Sequence, residues 1–451
     1  MHLDRRRSVA PRGSAARPSR LGVTGMGVLL AGLLGGSLGG GCAIAPEPGP
    51  PASATPETPT APAAPAPPRP TSAPSSVAVA APPAPSAAPA ARHEGPLASF
   101  HDALAALEAG TRDEHVRIVW LGDSHAQADF WPDAIRAGLG RRFGRGGPGF
   151  VHVGFKAYRH ADLKFDIEGG WRMRPKQPST SEPWGDGVFG LGGILHAGFQ
   201  GARRVVIDVD DEWLAKQPVE LDLCYKPGLA ADRFELLQNG ETIARLPEGE
   251  AIGKLHHRRW EVAGLTRFTV RILDGRPDFC GLTIDTQKPG VVLDNLGING
   301  ARYGTALAWN EEAWIQEIQR RPPELFIFEY GGNEASDLPS QPQTYKRQAL
   351  ELIARGRRAA PAASCLVIGP SDRVDAEARI PPIVQVMKEA AKESGCMFWN
   401  TYDQMGGKGS LRIWRDDGRG APDGIHLKPK GYAEVGALLL ADIMRDYRGA
   451  K

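Results

Sequence analysis

Apolar and polar positions follow two different periods along this chain, and the change between them divides it. Phe100, Leu104 and Leu107 fall at helical spacing, and Val116 to Leu121 form a short apolar run of strand length that Gly122 ends. Pro132 suits the first turn of a helix running to about Phe143, with Asp129 as its cap. The pattern then alternates. Val205, Ile207 and Val209, then Val219, Leu221, Leu223 and Tyr225, then Phe268, Val270 and Ile272 predict strands with one buried face. Asn239-Gly240 between apolar runs signals a hairpin. Residues 160–290 therefore read as an all-β, sandwich-like module. Beyond them strands are predicted at Val291 to Leu296, Leu325 to Glu329, Leu366 to Gly369 and Met397 to Asn400, with helices near 309–320, 344–358 and 381–393. A last helix carries Tyr432, Val435, Leu439 and Ile443 on one stripe. Alternating β and α segments imply an α/β fold: a parallel sheet of about five strands covered on both faces, in three α/β/α layers. The β module interrupts it after the first strand.

The N-terminal region is of a different kind. Arg5, Arg6, Arg7, Arg12, Arg17 and Arg20 precede an uncharged stretch from Leu21 to Gly41 and then Cys42, the pattern of an export signal. SLGGGC resembles a bacterial lipobox, with Gly39 where that pattern has Leu; the resemblance implies lipidation of Cys42 and a membrane anchor after cleavage. An ordinary signal peptide or an uncleaved anchor stays open. Residues 1–42 are read as this leader, and 43–94 as a Pro/Ala-rich linker that cannot bury enough apolar surface to fold. Extended, it reaches on the order of 100 Å at about 3.1 Å per residue. The expected location is the cell envelope, in the periplasm. Formal net charge is only +2 in 451 residues, so no nucleic-acid partner is implied. The five cysteines include no CxxC and no His–Cys cluster, so no metal or organic cofactor is implied either. After export Cys224, Cys280, Cys365 and Cys396 allow three disulfide pairings, and buried free thiols are the alternative.

Four short motifs fall at or near the carboxyl ends of the predicted parallel strands, where open sheets carry their sites. They are Gly122-Asp123-Ser124-His125, Asn299-Gly300-Ala301, Gly331-Gly332-Asn333-Glu334 and Asp423-Gly424-Ile425-His426. A serine hydroxyl attacks an ester well only when a base takes its proton. His426 is the candidate base for Ser124, and Asp423 the carboxylate that orients the imidazole and stabilises its cation. The oxyanion formed on attack needs fixed donors; the amides of Ser124 and Gly300 and the side-chain amide of Asn333 are the candidates. His125 either lines an acyl pocket or packs as a satisfied core histidine. Asp123 is expected to hold the loop. Tyr330 and Glu334 are candidates for substrate contact, and Trp171 and Trp184 for stacking on sugars or local packing.

These blocks resemble those of the SGNH (GDSL-type) hydrolases. The resemblance implies a flavodoxin-like core made of residues 95–159 and 291–451, with Ser124, His426 and Asp423 catalytic and Ser124, Gly300 and Asn333 forming the oxyanion hole. The GDSH form, followed by DFWPDAIRAGLGRRFG, resembles the peptidoglycan O-acetylesterase branch, which carries a carbohydrate-binding-module-like β insert at the same place. That branch implies an O-acetylated cell-wall glycan as partner and acetyl ester hydrolysis as the reaction. An O-acetyltransferase with the same triad and a non-catalytic glycan-binding lipoprotein remain alternatives.

Overall fold

The computed structural model describes residues 93–449 apart from Ala157. Cys42, the leader and most of the linker lie outside the described residues. In chain order the core contributes β1 (Val116–Gly122). The module follows with β2 (Gly149–Val151), β3 (Leu163–Arg174), β4 (Leu195–Val209), β5 (Val219–Lys226), β6 (Arg233–Gln238), β7 (Glu241–Leu246), β8 (His256–Val262), β9 (Arg267–Asp274) and β10 (Asp278–Thr286). The core resumes with β11 (Val291–Gly297), β12 (Leu325–Glu329), β13 (Ser364–Gly369) and β14 (Met397–Asn400).

The core sheet is parallel throughout, in the order β11-β1-β12-β13-β14. Its inner strands are apolar on both faces because helices cover both. Val119, Leu121, Phe326 and Phe328 face the helices Glu311–Arg320, Pro342–Ala359 and Ile380–Glu393 through Trp314, Ile318, Leu352 and Ile383. The alternate positions Ile118, Trp120, Leu325 and Ile327 meet Phe100, Leu104, Ile135, Leu139, Val435 and Leu439, from the helices Ala98–Glu108, Phe130–Phe143 and Pro429–Ile443. This is the three-layer α/β/α arrangement, with a β insert, that the apolar pattern implied. The insertion sits between two strands that pair directly, Val116 against Val291.

In the module nine strands join into one antiparallel sheet that folds over its own core. The long β4 serves both halves. Its last residues pair with β9 and its first with β10. Asn239 and Gly240 adopt φ of +50° and +94°, the left-handed pair a two-residue hairpin needs, between β6 and β7. The antiparallel sheet starts before residue 160, at β2, whose three residues are too few to show alternation.

The module is fastened to the core by charge. Arg321 donates to Asp285 on β10 and to Asp294 on β11, and Arg117 on β1 also reaches Asp285, at 2.8 Å. Burial works against the Asp285 charge, but Arg321 and Arg117 hold its carboxyl well below the usual range. Asp129 does not cap its helix. It stands at φ +59° with its carboxylate buried, accepting from Arg136 at 2.9 Å, Ala161 N at 2.9 Å and Asn295 Nδ2 at 3.1 Å. Tertiary partners outcompete the local cap. Of the three pairings open to the cysteines, the structure has Cys224–Cys280, joining β5 to β10, and Cys365–Cys396, joining β13 to the approach to β14. Among the described residues no helix is long and apolar enough to cross a membrane.

Candidate active site

The nucleophile candidate sits on a turn with no room for side chains beneath it. β1 ends at Gly122, where a Cβ would stand 2.5 Å from Glu329 Oε2 and 2.6 Å from the Ala126 Cβ. Asp123 then caps the short helix Ser124–Gln127, its Oδ1 accepting from the His125 amide at 2.9 Å. This holds the loop as expected of Asp123 and leaves Ser124 half-buried at the helix start.

The loop before the last helix brings the other two groups. His426 Nε2 lies 2.7 Å from Ser124 Oγ, and His426 Nδ1 lies 2.7 Å from Asp423 Oδ2. The second Asp423 oxygen accepts the amides of Ile425 at 2.9 Å and His426 at 3.0 Å, so the carboxylate is fixed to its own loop. Burial opposes the Asp423 charge, but the His426 ring and these two amides hold its pKa at about 2. The row opens to solvent: the His426 and Asp423 side chains keep 34% and 47% of their exposure.

The two remaining blocks are wired to the first. Asn299 N donates to Gln127 Oε1 at 2.6 Å, and Ala301 N to Ile298 O at 2.9 Å. Between them Gly300 takes φ +79°, a backbone conformation that favours glycine. Asn333 Nδ2 donates to Ala301 O at 3.0 Å and to Asp123 Oδ2 at 3.2 Å, so this one amide touches the first and second blocks.

Three carboxyl groups are buried under these loops. Burial pushes Asp123 up to about 6 and Glu334 to about 7, and raises Glu329 well above the usual range, further raised by Asp123 and Glu334 nearby. Glu329 Oε2 accepts the Asp123 amide at 3.2 Å. Glu334 accepts the Tyr303 and Gly331 amides, each at 3.0 Å, and is fully buried; Tyr330 is buried against Tyr303. Neither Tyr330 nor Glu334 is placed to touch substrate. His125 takes the packed alternative: its Nδ1 pairs with Tyr432 Oη at 2.9 Å, and burial, then the nearby His426 and Arg373, lowers it to about 3. Trp171 packs on Phe279, while Trp184 stays 43% exposed beside Phe189.

Sequence reading missed Arg302, Arg373 and Glu329. Arg373 donates to Gly332 O and to Ser336 Oγ, bracing the third block from beyond β13. Arg302 and Glu329 had a nearby signal, the first following Asn299-Gly300-Ala301 and the second preceding Tyr330 and the third block. Among the described residues Cys224, His257 and Glu317 converge as a metal site would, but the Cys224 sulfur is bonded to Cys280 and supplies no thiolate.

Residues 272–434 match the GDSL-like lipase/acylhydrolase family model. The matched span begins within β9 of the module and holds Gly300, Asn333, Asp423 and His426; Ser124 lies before it. Among solved structures, a peptidoglycan O-acetylesterase superposes with a TM-score of 0.64 at 24% identity, over 77% of this chain and 95% of that one. A lipase/acylhydrolase from Enterococcus faecalis matches at 19% identity over 36% of this chain and 80% of that one, with a TM-score of 0.29. A family two carbohydrate esterase from Clostridium thermocellum matches at 10% identity over 63% and 98%, with a TM-score of 0.27. No curated protein sequence matches the chain significantly.

Proposed function

Because residues 272–434 match the GDSL-like lipase/acylhydrolase family model and the fold is similar to that of a peptidoglycan O-acetylesterase, we propose that the protein is a serine esterase of the cell envelope that removes acetyl groups from O-acetylated peptidoglycan. The observation that carries the reading is the continuous row Ser124 Oγ, His426 Nε2, His426 Nδ1, Asp423 Oδ2, with both links at 2.7 Å. His426 takes the Ser124 proton as Oγ attacks the acetyl carbonyl. Asp423, ionised because its pKa is held so low, stabilises the resulting imidazolium. The Ser124 and Gly300 amides and Asn333 Nδ2 receive the oxyanion, Asn333 sharing a hydrogen now given to Ala301 O or Asp123. His426 returns its proton to the sugar oxygen, and water activated by His426 then frees acetate from acetyl-Ser124.

The substrate class is supported by the openness of the row, which suits a small acyl group on a bulky alcohol. The likeness in fold to a peptidoglycan O-acetylesterase points the same way. Export, and anchoring through a lipid on Cys42, belong to the same proposal. Two disulfides among the described cysteines support an oxidising compartment. The test is acetate release from O-acetylated peptidoglycan. Ser124→Ala should lower the rate roughly a millionfold while the protein stays folded. Undiminished release by that variant would overturn the reading, and acetyl groups appearing on an acceptor glycan instead of as acetate would make the protein a transferase.

A further inference from the structure

Arg302 takes no part in the proton transfers above, yet it touches two of the three loops that supply oxyanion donors. Its Nη1 donates to Gly300 O at 3.3 Å, and its Nη2 donates to Asn333 O at 3.0 Å and to Asp337 Oδ1 at 3.1 Å. Asp337 is itself held, its Oδ2 accepting from Tyr345 Oη at 3.0 Å.

We propose that Arg302 is the positioning residue of the oxyanion site, holding Gly300 and Asn333 at a fixed separation while the tetrahedral intermediate forms. This rests on the Ser124 esterase reading. The reason lies in which ties survive the reaction. The two loops are also joined by Asn333 Nδ2 to Ala301 O, but that bond is made by the same nitrogen the oxyanion calls on. When Asn333 turns its amide to the oxyanion, that tie weakens, and the arginine bridge between the two carbonyls does not. Gly300 needs such a tie. The Gly300–Ala301 peptide is pinned at its oxygen by Arg302 and at its nitrogen by Ile298 O, and the preceding residue is pinned through Asn299 N. The Gly300 amide lies between these anchors, and a glycine released from one of them has no Cβ to limit its rotation. A planar guanidinium spans three acceptors in two loops at once; an ammonium is a point donor and does not.

The test compares Arg302→Lys, Arg302→Gln and Asp337→Asn with the parent full-length chain. It uses 4-nitrophenyl acetate, O-acetylated peptidoglycan and a reversible boronic acid that forms a tetrahedral adduct on Ser124. Loss of donor alignment should lower kcat about tenfold to a hundredfold, and weaken boronate binding by a matching factor, while KM moves less than about twofold. Asp337→Asn should act in the same direction and more weakly, and it carries the test alone if an Arg302 variant does not fold. Unchanged kcat and boronate affinity, or a raised KM with kcat kept, would overturn the role of Arg302. Acetyl ester turnover that does not depend on Ser124 would instead overturn the esterase reading beneath it.

Discussion

At Ser124 the hydroxyl is set by what surrounds it: a glycine that admits no Cβ behind it, an aspartate that caps its helix, and a ring 2.7 Å away. Asp423 shows why the ring stays in place. It bonds Nδ1 with one oxygen and its own loop amides with the other, so Asp423→Asn should leave the loop recognisable while presenting a donor where the imidazole needs an acceptor. We expect kcat to fall roughly ten-thousandfold in that variant, read by 4-nitrophenyl acetate hydrolysis, with little change in unfolding midpoint. The carboxylate is depressed to about 2, so it protonates only as pH falls toward that value, and an acid limb of activity near pH 5 or 6 would belong to another group. Ser124, His426 and Asp423, which the structure joins in one row, stand in short, ordered blocks that the sequence names, as do Gly300 and Asn333. Arg302, Arg373 and Glu329 do not, since what distinguishes them is contact across loops: Arg373 meets Gly332 from 41 residues away.

Elements were legible where periodicity was strong. β12 and β14 fall where the apolar runs place them, and the Asn239-Gly240 hairpin follows from the two residues that tolerate positive φ. Asp129 marks the limit of local reading: a polar residue before a helix either caps it or pairs elsewhere, and its partner Asn295 lies 166 residues on. Charge contacts between elements are equally invisible in sequence, and His257 is the clearest. On β8 it lies between Asp222 of β5, at 3.3 Å, and Glu317 of the helix Glu311–Arg320, at 3.1 Å, so it joins module to core. Burial alone would lower its pKa; the two carboxylates raise it to about 9. Stability from this contact is therefore complete below the unfolded histidine pKa of about 6.5 and is lost as pH rises through about 9. Urea unfolding at pH 7 and pH 10 should show that loss in the parent protein, and His257→Gln should flatten it. An equal pH slope in both would remove His257 from the junction.

For the whole molecule, every group in the proposed chemistry lies between Ser124 and His426, and none in the leader or linker. A chain starting at residue 93 should therefore hydrolyse a soluble acetyl ester at the parent rate. If the protein is anchored through Cys42 as proposed and the linker acts as a spacer, shortening the linker should slow acetate release from intact walls but not from solubilised fragments. Equal loss on both substrates would show that the linker contributes to the folded enzyme.

The insertion has a consequence in time as well as in space. Strand β1 lies between partners made much later, and Ser124 meets a base 302 positions downstream. Such distant pairings form late and slowly. A nascent polypeptide would thus display its nucleophile early and unarmed, and would become competent only once nearly all of it had been delivered. Chains broken off before His426 would lack the base and be silent, sparing any esters met during manufacture.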